Sequence, residues 1–229
     1  MSADTPLQQP APATPGLAMI MTLGLISLVA GFSVTLAYQW TKPYVAENQR
    51  ISTERAVAAV LPGAAKQRGF RMGDAGPTPV EPANDPGDGI YVGYDQQGKI
   101  IGIAGRGASQ GDAGLVYVMY AYRPECRCIT AMRVVKMNET PGLGDKVLKD
   151  KNFLKNFEAL EARLDEGGNA MAHRIQTVKN GTKQEAWQID AISGSTVTSK
   201  AIGRALDEST QKMVPFVHRY LTELERAGQ

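Results

Sequence analysis

The sequence predicts an α+β protein in which a single N-terminal transmembrane helix precedes a domain with an antiparallel sheet and packed helices. Three observations indicate this: an uncharged apolar run near the N-terminus, strand-like alternation separated by turns, and helical periodicity at the C-terminus. With 229 residues, 43% of them hydrophobic, the chain has room for an anchor and one globular domain. A formal charge of +2 and an aromatic content of 7% give no indication of nucleic-acid binding.

The apolar run, assigned to residues 17–39, is the predicted membrane anchor. No charged residue occurs between Asp4 and Lys42, and the 22 residues from Leu17 to Tyr38 would span about 33 Å as a helix, enough for a bilayer core of about 30 Å. Residues 1–16 are predicted to be a disordered tail. A cleaved signal peptide is the alternative, but the run is too long, has no basic residue before it and lacks a convincing cleavage site.

Beyond the anchor, residues 43–61 are predicted to form a juxtamembrane helix that continues or restarts the spanning helix and ends at Pro62-Gly63. The next segment, residues 62–89, contains five prolines and six glycines with few apolar residues, which predicts a long irregular loop. Residues 90–226 then form the globular domain.

Three predicted hairpins build the sheet of this domain. Residues 90–104 and 115–137 each alternate in the manner of strands around a central turn, and a glycine-rich link at 105–114 is the predicted flexible edge of a binding site. The third hairpin covers residues 173–192 around Asn180-Gly181, a dipeptide typical of a type I′ turn. Such hairpins predict antiparallel pairing.

Two helices are predicted to pack on the sheet. Residues 149–166 place apolar side chains on one helical face before Gly167-Gly168 ends the helix. The last helix, residues 198–226, has a similar face and a predicted kink at Pro215. The side chains expected in the core are Phe153, Phe157, Leu160 and Leu164 of the first helix and Ile202, Leu206, Met213, Val217, Leu221 and Leu224 of the second.

A hydroxyl cluster precedes the last helix, where the chain reads Asp190-Ala-Ile-Ser-Gly-Ser-Thr-Val-Thr-Ser199. A helix N-terminus offers unpaired N–H groups and a partial positive charge, so this turn predicts a phosphate-binding site. Gly194 allows a tight turn between two small serines. With Thr198 or Ser199 as the helix cap, Thr196 is left to present its hydroxyl. The candidate residues are Asp190, Ser193, Gly194, Ser195, Thr196, Thr198, Ser199 and Lys200.

Two cations follow this cluster. Lys200 and Arg204 lie just inside the predicted helix, where positive charges oppose the helix dipole and would suit a bound phosphodiester. The plain alternative is a helix cap without a ligand, since Ser, Thr and Gly are common before any helix.

A second motif, Glu139-Thr-Pro-Gly-Leu-Gly-Asp-Lys146, follows the second predicted hairpin. The Thr-Pro-Gly sequence predicts a turn, and Gly144 permits another backbone position that other residues would find strained. A loop of this shape can press its main chain against a flat ring. An ordinary connection between a strand and a helix is the alternative. The candidate contacts are Glu139, Thr140, Gly142, Leu143 and Gly144.

The two motifs resemble those of the G subunit of the Rnf-type ion-translocating electron-transport complexes, and of the FMN-binding domain shared with the C subunit of sodium-pumping NADH:quinone reductases. The resemblance covers about residues 17–225. It implies FMN held by a phosphoester to the threonine of Ser-Gly-Ala-Thr, which is Thr196 here, with the loop at 139–144 near the flavin ring. In the family, a separate flavin transferase that uses FAD makes this bond. Ser195 departs from the usual alanine.

The resemblance implies a membrane-anchored electron carrier whose partners are other membrane subunits and, for maturation, the flavin transferase. FMN supplies the redox chemistry, while the protein supplies position and electrostatics. The sequence contains no recognisable set of nucleophile, base and orienting group and no metal-ligand set, so a self-sufficient enzyme is not predicted. The alternatives are the same domain in a sodium-translocating quinone reductase-like or other membrane flavin system, and a flavin-free assembly subunit.

Charge and family resemblance differ on the orientation of the anchor. Lys42, Arg50 and Arg55 follow the apolar run and no Lys or Arg precedes it, so the positive-inside rule would place the large domain in the cytoplasm. The family places this domain outside, anchored in the cell inner membrane. Because long domains translocate largely regardless of charge, we predict a single-pass protein with its large domain on the periplasmic side.

The two cysteines of the chain are Cys126 and Cys128. In an extended segment a disulfide between residues this close in sequence does not close easily, so none is expected. No other cysteine or well-spaced histidine completes a metal set. Incidental placement near a hairpin turn is the main interpretation, and an iron–sulfur or partner contact is the alternative.

Overall fold

The computed structural model describes residues 16–80 and 89–229. The predicted disordered tail therefore lies outside the described residues, except for residue 16, and so do residues 81–88 of the predicted loop. The described chain divides between Glu47 and Asn48 into two compact units.

The first element is helix α1, Gly16–Val60, which contains Pro43 and has residues in both units. The juxtamembrane helix predicted at 43–61 is thus continuous with the helix predicted to span the membrane. Pro43 lies inside this helix, and no glycine separates the two predicted segments.

Within the first unit, the apolar stretch of α1 is long and apolar enough to cross a membrane, as judged by length and composition, and no other described helix is. An 18-residue window reaches a mean hydropathy of 2.2, and none of it is buried in the protein. The hydroxyls of Thr35 and Thr41 donate to the carbonyls of Gly31 and Ala37 at 2.8 Å each. These polar groups are satisfied within the helix, so they do not conflict with an apolar environment.

A seven-stranded sheet, antiparallel throughout, forms the centre of the second unit, with strand order β2-β1-β3-β4-β5-β6-β7. Two short strands, β8 and β9, pair separately. This architecture confirms the predicted α+β class. The strands are β1 Lys66–Gly73, β2 Gly76–Val80, β3 Gly89–Tyr94, β4 Ile100–Gln110, β5 Leu115–Arg123, β6 Cys128–Lys136, β7 Leu160–Glu161, β8 Gln176–Val178 and β9 Gln188–Asp190. The helices after α1 are a 3-10 helix Gly144–Leu148, α2 Lys151–Lys155 and α3 Thr196–Arg226.

Helix α3 covers one face of the sheet and the end of α1 covers the other. Side chains alternate between the two faces along each strand. On β5, Val118 and Tyr120 therefore join the core beneath α3, whereas Met119 and Ala121 join a smaller cluster with Val57 of α1. Each face buries its own apolar cluster.

Close contacts fix α3 along the sheet. A Cβ at Gly107 of β4 would lie 2.3 Å from the carbonyl oxygen of Ala205, so only glycine lets the helix approach this far. Near the other end, the Tyr94 hydroxyl donates to the Leu224 carbonyl at 2.7 Å. Burial raises the pKa of Tyr94 to about 12, so this hydroxyl keeps its proton at neutral pH. Contacts with the central strand β4 and with Tyr94 therefore fix α3 near its first turns and near its last turns.

The first two predicted hairpins are confirmed. Strands β3 and β4 pair around the turn after residue 94, and β5 and β6 pair around the turn after residue 123. The link predicted at 105–114 is shorter than expected, because β4 continues to Gln110 and pairs it with Leu115. Only residues 111–114 connect the two hairpins.

The third predicted hairpin, residues 173–192, is wrong because β8 and β9 run parallel. Side-chain hydrogen bonds explain the difference. The Asp190 carboxylate accepts from the Gly181 N–H at 2.9 Å, and the Asn180 side chain donates to the Ala191 carbonyl at 2.8 Å. The Asn-Gly turn thus folds onto the end of β9 and does not join two paired strands.

The irregular loop predicted at 62–89 is wrong for residues 66–80, which form the hairpin of β1 and β2. Gly69 belongs in this hairpin because a Cβ there would lie 2.7 Å from the carbonyl oxygen of Val80. Pro77 and Pro79 are tolerated because β2 is an edge strand. Gly69 therefore reflects the close pairing of β1 with β2, and the two prolines reflect the edge position of β2.

The helix predicted at 149–166 is limited to α2. Asn156 ends it, because its amide group donates to the carbonyls of Phe153 and Asp190 and its Oδ1 accepts from the Asp190 N–H at 3.0 Å. The chain then extends, and Leu160 pairs with Ile129 of β6. Three predicted core residues are buried all the same: Phe153, Phe157 and Leu160.

Helix α3 confirms the predicted last helix and begins at Thr196, two residues earlier than expected. The predicted kink at Pro215 is wrong, since the non-helical residue is Tyr220, with φ of −109° and ψ of 17°. The Tyr220 ring packs on Phe216, and its hydroxyl donates to the Asp74 carbonyl at 3.3 Å. The irregular turn of α3 at Tyr220 is thus a place where the helix contacts residue 74 in another part of the chain. The predicted face is buried at Ile202, Leu206, Met213, Val217 and Leu224 and partly buried at Leu221.

Cys126 and Cys128 form a disulfide, contrary to the expectation for an extended segment. They lie at the turn between β5 and β6, where the intervening Arg127 adopts a left-handed conformation with φ of 54°. This conformation departs from an extended backbone and leaves the two Cα atoms 5.2 Å apart, within the range of bonded pairs.

The variant Gly107→Ala tests the close packing of α3 on β4. Because the added methyl group would meet the Ala205 carbonyl, we expect the free energy of unfolding to fall by about 1–3 kcal/mol. Urea unfolding of the purified chain measures this change. The control is Gly167→Ala, whose methyl group would lie 3.6 Å from its nearest neighbour. Equal stability of the two variants would contradict the packing argument.

Candidate functional site

The two sequence motifs meet at one groove on the domain surface, with a volume of about 280 Å³. Depressions of about 380 and 480 Å³ occur elsewhere, but neither borders the motifs. The groove is therefore the candidate site. Its lining residues are Asp112, Glu139, Thr140, Leu143, Gly144, Gly194, Ser195, Thr196, Val197 and Thr198.

The start of α3 forms one wall. Gly194 has φ of 79°, which allows the chain to turn sharply into the helix. Ser195 is the N-terminal capping residue, yet its side chain makes no capping hydrogen bond. The first N–H groups of a helix have no partner within the helix, so this end offers donors and a partial positive charge to an anion.

Thr198 and Ser199 do not cap the helix as predicted, because α3 starts before them. The Thr198 hydroxyl donates to Glu139 Oε2 at 2.8 Å. The Ser199 hydroxyl, fully buried, donates to the Ser195 carbonyl at 2.8 Å and accepts from the Ile192 N–H at 3.2 Å. Both residues hold the turn in place, and only Thr198 lines the groove.

Thr196 and Ser195 carry the two hydroxyls nearest the turn. Thr196 is half-buried, lines the groove and makes one long hydrogen bond, 3.4 Å, to the Ile192 carbonyl. Ser195 is only 4% exposed, and its Oγ has no hydrogen-bond partner in the described part of the chain. A buried hydroxyl without a partner costs about 1–3 kcal/mol. The turn thus contains one weakly bound hydroxyl and one unpaired hydroxyl.

The loop at 139–144 forms the opposite wall. It closes as a turn, since the N–H groups of Leu143 and Gly144 donate to the Thr140 carbonyl at 3.2 and 3.1 Å. Gly142, with φ of 81°, donates its N–H to the Asp145 carboxylate at 2.7 Å. These bonds explain the turn signature and leave the Leu143 side chain exposed.

Glu139 joins the two walls. Its Oε1 accepts from the Asp112 N–H at 3.0 Å, and its Oε2 accepts from the Thr198 hydroxyl. Glycine is required beside it: a Cβ at Gly144 would lie 2.5 Å from the Glu139 Cβ, and one at Gly111 would lie 2.2 Å from Oε1. The Glu139 carboxylate is therefore used in organising the groove.

Several predicted site residues lie outside the groove lining. Asp190 holds the Gly181 turn, and Arg204 donates to Ser109 Oγ at 3.2 Å and to the Gln110 carbonyl at 2.6 Å. Neither cation of the pair expected from the sequence lines the groove, and Arg204 is used in binding β4. The others outside the lining are Ser193, Ser199, Lys200 and Gly142.

Sequence reasoning did not select three residues near the groove. Asp112 and Val197 line it, and the Lys146 ammonium lies 3.8 Å from the position of a Cβ at Gly194. Asp112 belongs to the glycine-rich link at 105–114, which the sequence had placed at the edge of a binding site, so its position in that link could have identified it. Val197 and Lys146 lie inside the two quoted motifs, but no local pattern shows which way their side chains face.

Comparison with known proteins identifies related sequences. Residues 111–211, which contain both motifs and every groove-lining residue, match the FMN-binding domain family. The chain is 28% identical over 191 residues to the G subunit of the ion-translocating oxidoreductase complex of Methanosarcina acetivorans, covering 82% of this chain and 89% of that protein. It is 27% identical over 215 residues to the protein of the same name from Pseudomonas aeruginosa, covering 91% and 93%. The resemblance expected from the motifs is confirmed.

The fold is similar to that of NqrC from Shewanella oneidensis, with a TM-score of 0.57 and 17% identity over 79% of this chain and 99% of that one. It is also similar to the C subunit of the Na(+)-translocating NADH-quinone reductase from Parabacteroides distasonis, with a TM-score of 0.57, 16% identity and coverage of 75% and 94%. At these identities the similarity concerns the fold alone, and it confirms the predicted fold class.

The variant Glu139→Ala tests the bridge between the walls. Without the carboxylate, the Asp112 N–H and the Thr198 hydroxyl lose their acceptor, so we expect faster hydrogen exchange in residues 111–114 and 139–145. Hydrogen-exchange mass spectrometry measures this change. The control is Glu158→Ala, an exposed carboxylate outside the groove lining. Unchanged exchange in both segments would show that Glu139 does not hold them.

Proposed function

Because the chain contains an FMN-binding domain and is similar over most of its length to the G subunit of ion-translocating oxidoreductase complexes, we propose that it is the FMN-binding electron-transport subunit of such a complex. The groove between the 139–144 loop and the start of α3 is the observation that carries this proposal. FMN, when bound, supplies the transfer of electrons. The residues of the chain bind it, orient it and anchor it.

The groove fits the two chemically different ends of FMN. Leu143 and Val197, exposed by 51% and 52%, offer apolar surface for the ring system. The uncapped start of α3 offers N–H donors to the phosphate. A groove of about 280 Å³ is at the lower limit of ligand-site volumes, so part of the flavin would stay at the surface. Such exposure suits electron exchange with a neighbouring subunit.

Covalent attachment at Thr196 is the finer part of the proposal. Its hydroxyl lines the groove at the helix start and makes only a long internal hydrogen bond. A separate flavin transferase would catalyse the reaction: Thr196 Oγ1 bonds to the FMN phosphorus of FAD, the bond from that phosphorus to AMP breaks, AMP leaves, and the hydroxyl proton passes to solvent. A phosphoester leaves the ring free for redox chemistry and prevents loss of the cofactor.

Helix α1 would anchor the domain beside the other membrane subunits of the complex. Its apolar stretch is long enough to span a bilayer. We place the domain on the periplasmic side of the inner membrane, against a bias of three cations, because long domains translocate largely regardless of flanking charge.

The variant Thr196→Val tests covalent attachment. The substitution keeps the shape of the side chain and removes the oxygen that would bond to phosphorus, so the chain should fold and carry no covalent flavin. Intact-mass analysis after co-expression with a flavin transferase measures this, and ultraviolet fluorescence of a denaturing gel provides a second reading.

Ser195→Ala is the matched control, since it removes the neighbouring hydroxyl and should retain the flavin. A flavin mass that persists in Thr196→Val and maps to Ser195 or Thr198 would show that another hydroxyl is used. A wild-type chain without added mass would favour non-covalent binding or a flavin-free assembly role.

Orientation is tested by fusing a reporter that is active only in the cytoplasm after Gln229. We expect no reporter activity in cells. The matched control deletes residues 17–39, which should leave the domain in the cytoplasm and activate the reporter. Activity in the full-length fusion would support the orientation given by the charge bias.

A further inference from the structure

The 3-10 helix places an ammonium group over the turn that precedes α3. We propose that Lys146 is the cation that faces the phosphoryl group at Thr196, both during attachment and in the finished flavoprotein. This inference rests on the proposed function and adds a positioning residue to it.

The position of Lys146 is fixed at its backbone and free at its tip. Val147, next to it, is fully buried, and Gly144 at the start of the 3-10 helix packs against Glu139. The side chain is exposed, and its ammonium makes no hydrogen bond or ion pair with the described residues. It lies 3.8 Å from the Cβ position of Gly194, two residues before Thr196. A cation therefore lies beside the turn and has no partner among residues 16–80 and 89–229.

The unpaired hydroxyl of Ser195 is an independent indication of a ligand at this turn. The side chain is 4% exposed, its Oγ has no partner among the described residues, and the residue lines the groove. Because the Ser195 side chain makes no capping hydrogen bond, the start of α3 has no side-chain cap. A hydroxyl and a helix start without a side-chain cap thus border the groove, and an ammonium lies beside Gly194 of the same turn. Each of these groups complements a negatively charged oxygen.

The other charged groups near the groove leave this role to Lys146. Arg204 is bonded to Ser109 and Gln110 of β4. Lys146 and Lys200 both lie outside the groove lining, but among the described residues only Lys146 has an atom within 4 Å of the Cβ position of Gly194. The carboxylates of Glu139 and Asp112 belong to residues that line the groove, where negative charge would repel a phosphate. The phosphate is therefore expected at the Gly194 side, beneath Lys146.

The experiment measures the rate at which purified chain gains the FMN mass from FAD and a flavin transferase. Exposed ion pairs contribute up to about 1 kcal/mol, so Lys146→Gln should slow attachment by about fivefold. Lys146→Arg keeps the charge and should restore most of the rate. Lys200→Gln and the distant Lys66→Gln should match wild type. The difference between Lys146→Gln and wild type should shrink at 1 M salt, where the Debye length is about 3 Å.

The ³¹P resonance of the loaded chains provides a reading that does not depend on the transferase. We expect its chemical shift to differ between wild type and Lys146→Gln and to be unchanged in Lys66→Gln. Wild-type rate and chemical shift in Lys146→Gln would overturn the inference while leaving the proposed function intact. A rate reduced in Lys200→Gln and not in Lys146→Gln would assign the role to Lys200. A wild-type chain that gains no FMN mass would overturn the proposed function, and this inference with it.

Discussion

The two hydrogen bonds of the Glu139 carboxylate hold the candidate site together, because they join three segments that are distant in sequence. One oxygen accepts from the N–H of Asp112 in the connection between β4 and β5, and the other accepts from the hydroxyl of Thr198 in the first turn of α3. Hydrogen bonds to a charged acceptor are roughly twice as strong as neutral ones. A single side chain therefore sets the distance between the walls of the groove, and the glycines at 111 and 144 leave room for it.

This bridge can form only because the sheet holds α3 in one position. Gly107 allows the helix backbone to touch β4, Arg204 bonds to the end of the same strand, and the Tyr94 hydroxyl holds the last turns. A site supported by a packed helix keeps its geometry better than a site on a loop alone. The threonine at the helix start thus has a defined position relative to the loop at 139–144, which the proposed attachment of FMN requires.

Different residues at the groove offer different kinds of contact to a ligand. Leu143 and Val197 present apolar surface, whereas the helix start and Lys146 provide donors and positive charge. The Glu139 carboxylate is occupied by hydrogen bonds within the protein. A ligand with a flat ring at one end and a phosphate at the other matches this arrangement. An open groove also leaves such a ligand accessible to a partner, as electron exchange requires, whereas an enclosed pocket would isolate it.

Features with local causes were predictable from the sequence. The apolar run, the first two hairpins and the hydroxyl turn before a helix depend on neighbouring residues, so their patterns are visible in the chain itself. Features that depend on contacts between residues far apart in the chain were not predictable from the sequence. Asn156 ends α2 by bonding to Asp190, an edge position accommodates the prolines of β2, and β4 binds Arg204. The sequence by itself thus determined the fold class, the long apolar helix and the two motifs of the candidate site. Tertiary structure decided which of their side chains face the groove, because that depends on hydrogen bonds and close contacts between residues far apart in the chain.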